Sequence, residues 1–213
     1  MVPFVRLIAV AFVSAFLTSA EYYNYEEKRI DSYDNYLQYQ DIYKVFSRKE
    51  KQWLFGFNYK SPHTEGKSCV YFEIESVEAT GMNYSSNFWK NNSQGRIEYI
   101  GGFDRTPVQS DKENMERPKP NHLKAHYKQN ASITMNFTLI YSNYTGCSIF
   151  RVPFIEEGNG CMVLLTDSIV DDGLTGSCRS IYNHACNKTH TFHPIFQKNC
   201  TQRNATIDSA SAV

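Results

Sequence analysis

Six cysteines constrain this chain more than any other feature: Cys69, Cys147, Cys161, Cys178, Cys186 and Cys200. An even count in an oxidising compartment reads as three disulfides, and six cysteines allow fifteen pairings. Whether they are oxidised depends on where the chain is sent, and its first residues speak to that. Arg6 precedes an apolar run from Leu7 to Leu17 broken only by Ser14, and the small residues Thr18, Ser19 and Ala20 follow. A basic start, a short apolar stretch and a small-residue exit make residues 1–20 a secretory signal peptide. The run is shorter than the ~20 apolar residues that span a bilayer. A membrane anchor or buried helix is the weaker reading of those flanks. The expected product begins near Glu21 and is secreted, extracellular and soluble. Residues 21–213 read as one domain, with a disordered tail from about residue 204.

Loss of Arg6 leaves 21 basic against 22 acidic residues. A near-neutral chain lacks the basic patch that nucleic acid or anionic membrane requires, so neither is expected as a partner. Eight Asn-x-Ser/Thr triplets stand at Asn83, Asn91, Asn130, Asn136, Asn143, Asn187, Asn199 and Asn204. Behind a signal peptide, so many triplets indicate a glycoprotein. Asn199 is the poorest acceptor, because its middle residue is Cys200. Dense glycans favour a monomer. A metal site at Cys186, His190 and His193 is the rival use of cysteine, but no Cys-x-x-Cys pair supports it. Neither a metal nor another cofactor is expected.

From Asp31 to Val45 the spacing of Tyr33, Tyr36, Leu37, Ile42 and Tyr43 predicts one short amphipathic helix. Beyond it the pattern has period two. Trp53, Phe55, Phe57 and Tyr59 alternate with Leu54, Gly56 and Asn58, and Val70, Phe72 and Ile74 alternate with Cys69, Tyr71 and Glu73. Further strand-like runs are Arg96–Phe103, Ala131–Ser142, Gly146–Ile155 and Gly160–Asp167. The polar stretch Thr106–His122, with three prolines, reads as a loop, and Ser177–Cys186 as a short helix. Short strands separated by turn residues imply an all-β antiparallel sandwich or barrel.

Several segments occur in a recognisable order: QWLFGFNYK (52–60), SCVYFEI (68–74), TLIYSNYTGCSIFRVP (138–153), GCMVLLTD (160–167), GSCRSIYNHAC (176–186) and IFQKNC (195–200). Together they resemble the tick salivary lipocalins of the histamine-binding type. The resemblance covers most of residues 21–213 but is poor over 77–130. It implies an eight-stranded antiparallel lipocalin barrel, with an N-terminal helix and a short C-terminal helix packed outside, that holds a small ligand in its lumen. It also implies the pairs Cys69–Cys200 and Cys147–Cys178, which leaves Cys161 for Cys186.

Glycan acceptors must face outward, as must strand cysteines if they bridge to an outer C-terminal segment, and side chains alternate along a strand. With Asn130 and Asn136 outside, Ile133, Met135, Phe137, Leu139 and Tyr141 are expected inside. Outward Cys69, Cys147 and Cys161 put Val70, Phe72, Ile74, Ser148, Phe150, Val152, Met162, Leu164 and Thr166 inside. The first strand is expected to present Trp53, Phe55, Phe57 and Tyr59 to the lumen, and Glu98 is an inward candidate without a register marker. Large side chains alone can fill such a barrel, so a packed core with no cavity is the plain alternative.

The resemblance also suggests which ligand to consider. The amine-binding relatives carry Cys-Asp-aliphatic and then Glu-Leu-Trp. Here Ser148 stands for the aspartate and Met162 for the glutamate, and Glu65 is the nearest acid before Cys69. A buried cation without a carboxylate is expensive, and the faces of Trp53, Tyr59 and Phe137 offset only part of that cost. An apolar ligand such as a fatty acid or eicosanoid suits the wall better, with Arg96 or Lys67 as partner for its carboxylate. The expected role is sequestration of a small host inflammatory mediator, amine or eicosanoid, from saliva to suppress host defence. The alternative is a glycoprotein antagonist whose outer loops bind a complement or clotting factor. No nucleophile motif, HExxH or phosphate loop is present, so an enzyme is not expected. His122 and His126, four apart, read as solvated.

Overall fold

The computed structural model describes residues 29–110, 115–186 and 191–201. Eight antiparallel strands run β1 Gln52–Phe57, β2 Ser68–Glu78, β3 Gly81–Lys90, β4 Ser93–Asp104, β5 His122–Tyr127, β6 Asn130–Ser142, β7 Cys147–Val152 and β8 Gly160–Thr166. They pair in chain order, β8 returns to β1, and β1 also pairs with β2, so the sheet closes. The β1–β2 contact is brief, Gln52 with Phe72 and Trp53 with Tyr71. Further along β1, where it leaves β2, the two-residue strand β9 (His193–Pro194) pairs with Gly56 and Phe57. The C-terminal segment thereby covers an edge that would otherwise be open.

The predicted helix over 31–45 forms as two short pieces. A 3₁₀ turn spans Asp34–Tyr39 and the helix α1 spans Ile42–Phe46. The break falls at Gln40, whose buried amide nitrogen donates to the carbonyls of Ile30 (2.9 Å) and Ile140 (3.0 Å). Arg117, buried in the β4–β5 loop, donates to Gln40 Oε1 at 2.6 Å and to the Asp31 carbonyl at 2.8 Å. Burial lowers the pKa of that guanidinium to about 10, still charged at neutral pH. Asp41 then restarts the chain as helix by accepting from the Lys44 amide at 3.1 Å. This turns Ile42, Val45 and Phe46 into the barrel, where they plug its closed end.

Two apolar cores result, one on each side of the wall. Inside lie Leu54, Val70, Tyr84, Leu139, Phe150, Met162 and Leu164 over α1. Outside, Trp53, Ile149, Val163 and Leu165 pack beneath α2 (Gly176–Cys186) and Phe196. Because α2 covers its outer face, β8 is buried at every residue, which explains the unbroken apolar run CMVLL. The disulfides are Cys69–Cys200, Cys147–Cys178 and Cys161–Cys186. They fasten α2 and the C-terminal segment to β2, β7 and β8.

Arg151 completes the outer lock. Its side chain is 4% exposed, pairs with Asp31 at 2.9 Å and donates to the carbonyl of Ala185 at 3.0 Å. It therefore joins the N-terminal segment, β7 and the end of α2. Among the described residues no helix is long and apolar enough to cross a membrane. The expected signal peptide and tail, and the expected acceptors Asn187 and Asn204, lie outside the described residues, as does His190. Of the remaining acceptors, Asn83, Asn91, Asn130 and Asn199 are exposed and Asn136 and Asn143 half-buried.

Candidate functional site

The lumen holds a cavity of about 250 Å³ above the floor made by Phe46. Each wall strand contributes through its inward alternation. Phe72 and Ile74 come from β2, Tyr84 and Ser86 from β3, Tyr99 from β4, and Leu123 from β5. Met135 and Phe137 come from β6, Phe150 and Val152 from β7, and Met162 and Leu164 from β8. Beyond the end of β1, Tyr59 joins Phe57, with ring centroids 4.9 Å apart. On the opposite wall Tyr84 stacks on Tyr99 at 5.1 Å and 14°, and Tyr127 continues the row at 5.2 Å.

Burial pushes the hydroxyls of Tyr59, Tyr84 and Tyr99 well above the usual phenol range, so they stay neutral donors and acceptors. The mouth is more polar, with Ser61, His63, Thr64 and Lys67 on the β1–β2 loop and Phe154 and Ile155 on the β7–β8 loop. Lys67 Nζ sits 4.1 Å from the centroid of Phe88. Burial, then the charge of Lys90, lowers its pKa. Among the described residues no carboxylate lines the cavity, and Lys67 has no acidic partner.

Eight expected lumen residues do not line the cavity, and of these Leu139 and Thr166 are buried without reaching it. Trp53 and Phe55 face outward, where Trp53 packs on Tyr71 and Phe196 and donates from Nε1 to Asp167 Oδ1. The cause is a bulge at Phe55, because the register with β8 jumps between Leu54 and Gly56. Alternation through the bulge would put Trp53 and Phe57 on one face; with it, Leu54 and Phe57 share the lumen. Tyr141 is moved outward by a second register jump between Leu139 and Tyr141 on β6. It packs against Tyr39 and its hydroxyl pairs with Ser177.

Glu98 faces solvent beside Lys128, at 3.2 Å, because neighbouring Tyr99 takes the inward position. Ile133 is half exposed near the start of β6 and lies off the cavity wall. Ser148 does point inward, but below the plug, where its hydroxyl donates to Ser142 Oγ at 3.0 Å. Leu54, Met82, Tyr84, Tyr99 and Leu123 line the cavity without having been expected there. Arg96 lies outside, bridging Glu73 and Glu75, and is no partner for a ligand in the lumen. His122 and His126 stand half-buried on the outer face of β5, with His122 bonded to Thr138 and Asn136.

The sequence model of the family described as Tick histamine binding protein matches residues 21–202. This chain belongs to the tick histamine-binding protein family. Among curated proteins none matches it by sequence. Solved lipocalins share its barrel. The AM182 serotonin complex superimposes with a TM-score of 0.54 at 13% identity, over 74% of this chain and 90% of that one. Insecticyanin from the tobacco hornworm Manduca sexta gives 0.53 at 8% identity, over 76% and 84%. Japanin from Rhipicephalus appendiculatus, bound to cholesterol, gives 0.50 at 10%, over 71% and 95%. At such identities the likeness establishes the fold: this histamine-binding-family chain has a lipocalin barrel.

Proposed function

We propose that this lipocalin is a secreted, glycosylated, non-catalytic scavenger that takes one small, mainly apolar host mediator of the fatty-acid or eicosanoid class into its lumen. The observation that carries this reading is the wall itself: apolar and phenolic, without a carboxylate among the described residues, with Lys67 as its cation at the mouth. An apolar tail gains about 25 cal/mol for each Å² taken out of water. A carboxylate head beside Lys67 would find a charge-assisted donor, with the hydroxyls of Ser61 and Thr64 nearby. The cavity is just below the ~300–1,000 Å³ of ordinary ligand sites, so a long chain would leave its head at that mouth.

The second reading is a biogenic amine. Its support is the family, the serotonin held by AM182, and the aromatic faces of the lumen wall. Those faces supply about 2 kcal/mol to a desolvated cation, less than a paired carboxylate. Calorimetric titration of the purified secreted protein with arachidonic acid, a leukotriene, histamine and serotonin separates the two. One-to-one binding of the acids with weak amine binding supports the first reading. Tight amine binding with none of the acids refutes it.

A further inference from the structure

A second cavity, about 190 Å³, opens on the outer wall and takes no part in the lumen. Strand register explains it. Tyr71 pairs with Asn87 and Asn87 with Arg96, which makes one row across β2, β3 and β4; Trp89 and Gln94 make the adjoining row. The groove lies between these rows. One row is rigidly held: Asn87 Nδ2 donates to Glu73 Oε2 and Ser85 Oγ, both at 3.1 Å, and Arg96 reaches Glu73 at 3.3 Å and Glu75 at 2.6 Å. Gln94 is exposed at the other edge, its amide offering both donors and an acceptor. Aromatic rings beside amides and a guanidinium, around a groove the size of one ring, are the chemistry that holds a sugar. Its C–H face rests on the rings while its hydroxyls and acetamide take the hydrogen bonds.

The chain carries an acceptor for such a sugar at the edge of this groove. The β3–β4 hairpin turns through Asn91 and Asn92, both left-handed (φ +50° and +60°), and closes at the pair Lys90–Ser93. Asparagine is among the residues that tolerate this turn, and Asn91-Asn92-Ser93 is a glycosylation triplet with Asn91 and Ser93 exposed. Asn91 lies two residues beyond Trp89, about 7 Å along the strand. We infer that the N-glycan of Asn91 folds back on the wall, with its first N-acetylglucosamine seated in the groove against Trp89 and Gln94. Held there, the glycan runs down the outside of the barrel and leaves the mouth open to ligand. The inference rests on the secretory part of the proposed function and not on the lumen's ligand.

The test uses the full chain secreted from eukaryotic cells, with glycopeptide mass spectrometry for occupancy and NMR for contact. The expected result is an occupied Asn91 and an acetyl methyl signal displaced by a ring current, with cross-relaxation to the Trp89 ring. Ser93→Ala removes the triplet yet keeps both turn asparagines, and Ser93→Thr retains the triplet as control. Ser93→Ala should lower Tm by about 2–4 °C in glycosylated protein. It should have less than half that effect in a Gln94→Ala background, or in unglycosylated protein. Asn91 empty while other triplets are filled overturns the inference. So does an occupied Asn91 with an undisplaced acetyl signal and a Tm loss independent of Gln94. Glycan missing from every site overturns the glycosylated part of the proposed function along with it.

Discussion

Replacing Met162 by glutamate should convert an apolar lumen into one that holds amines. Met162 is 6% exposed in the cavity wall, opposite Phe57 on β1 and Phe150 on β7. No cation among the described residues faces it; Lys67 stands at the mouth. Burial raises a carboxyl pKa by up to 3–5 units, so the introduced group titrates near about 8 rather than about 4.3. Ionising it at neutral pH costs about 1.4 kcal/mol for each unit. Attraction to an ammonium at about 4 Å returns about 4 kcal/mol at an effective dielectric near 20. The net gain is about 2–3 kcal/mol, a roughly 30- to 160-fold fall in Kd for serotonin. The gain should be larger at about pH 8.5 than at about pH 6. Stability should move the other way. A folded pKa above the unfolded one costs nothing below about pH 4.3, and the penalty grows as pH rises toward the folded value. Calorimetric titration at the two pH values reads the first effect and thermal unfolding the second. An unchanged serotonin affinity in a folded variant would refute the reasoning, as would wild-type protein binding serotonin equally tightly.

Arg151→Met removes buried Arg151 as the partner of half-buried Asp31 and as a donor to the Ala185 carbonyl; it should cost about 3–5 kcal/mol in denaturant unfolding, and a cost under about 1 kcal/mol would deny the lock. Removing Cys69–Cys200, which closes 131 residues, should cost about 5 kcal/mol against about 3.5 kcal/mol for either shorter link, measured as unfolding free energy of the double alanine variants. Tyr59, Tyr84 and Tyr99 have folded pKa values above the unfolded value near 10, so the stability they confer is present below about pH 10 and is lost as pH rises beyond it. Ultraviolet titration should show these phenols ionising together with unfolding; early reversible ionisation would mean that the lumen is open to water.

Much of this architecture is legible in the order of residues. Cysteines and glycan acceptors fix the outside of β2, β6, β7 and β8, so Phe72, Phe137, Phe150 and Met162 can be placed inward by counting. Counting fails where a strand gains a residue: the bulges at Phe55 and Ile140 carry Trp53 and Tyr141 to the other face, and nothing in the local sequence marks them. β3 is missed because polar Ser86 interrupts its inward row of Met82, Tyr84 and Phe88, which weakens the alternation. β5 is missed although His122, Lys124 and His126 alternate with Leu123, Ala125 and Tyr127, because the pattern lasts only six residues directly after a polar, proline-containing loop. The helix divides at Gln40 because a hydrogen bond from distant Arg117 holds it, which no local period can reveal.

On the proposed function, this lumen should prefer an apolar chain with an acidic head to one with a basic head. A saturated fatty acid and the primary amine of the same chain length isolate that choice, since their tails are identical. Competition titration against wild type and Lys67→Met measures it. The acid should bind at least tenfold tighter, a difference reduced to near equality in Lys67→Met. Equal or tighter binding of the amine by the wild type would contradict that preference.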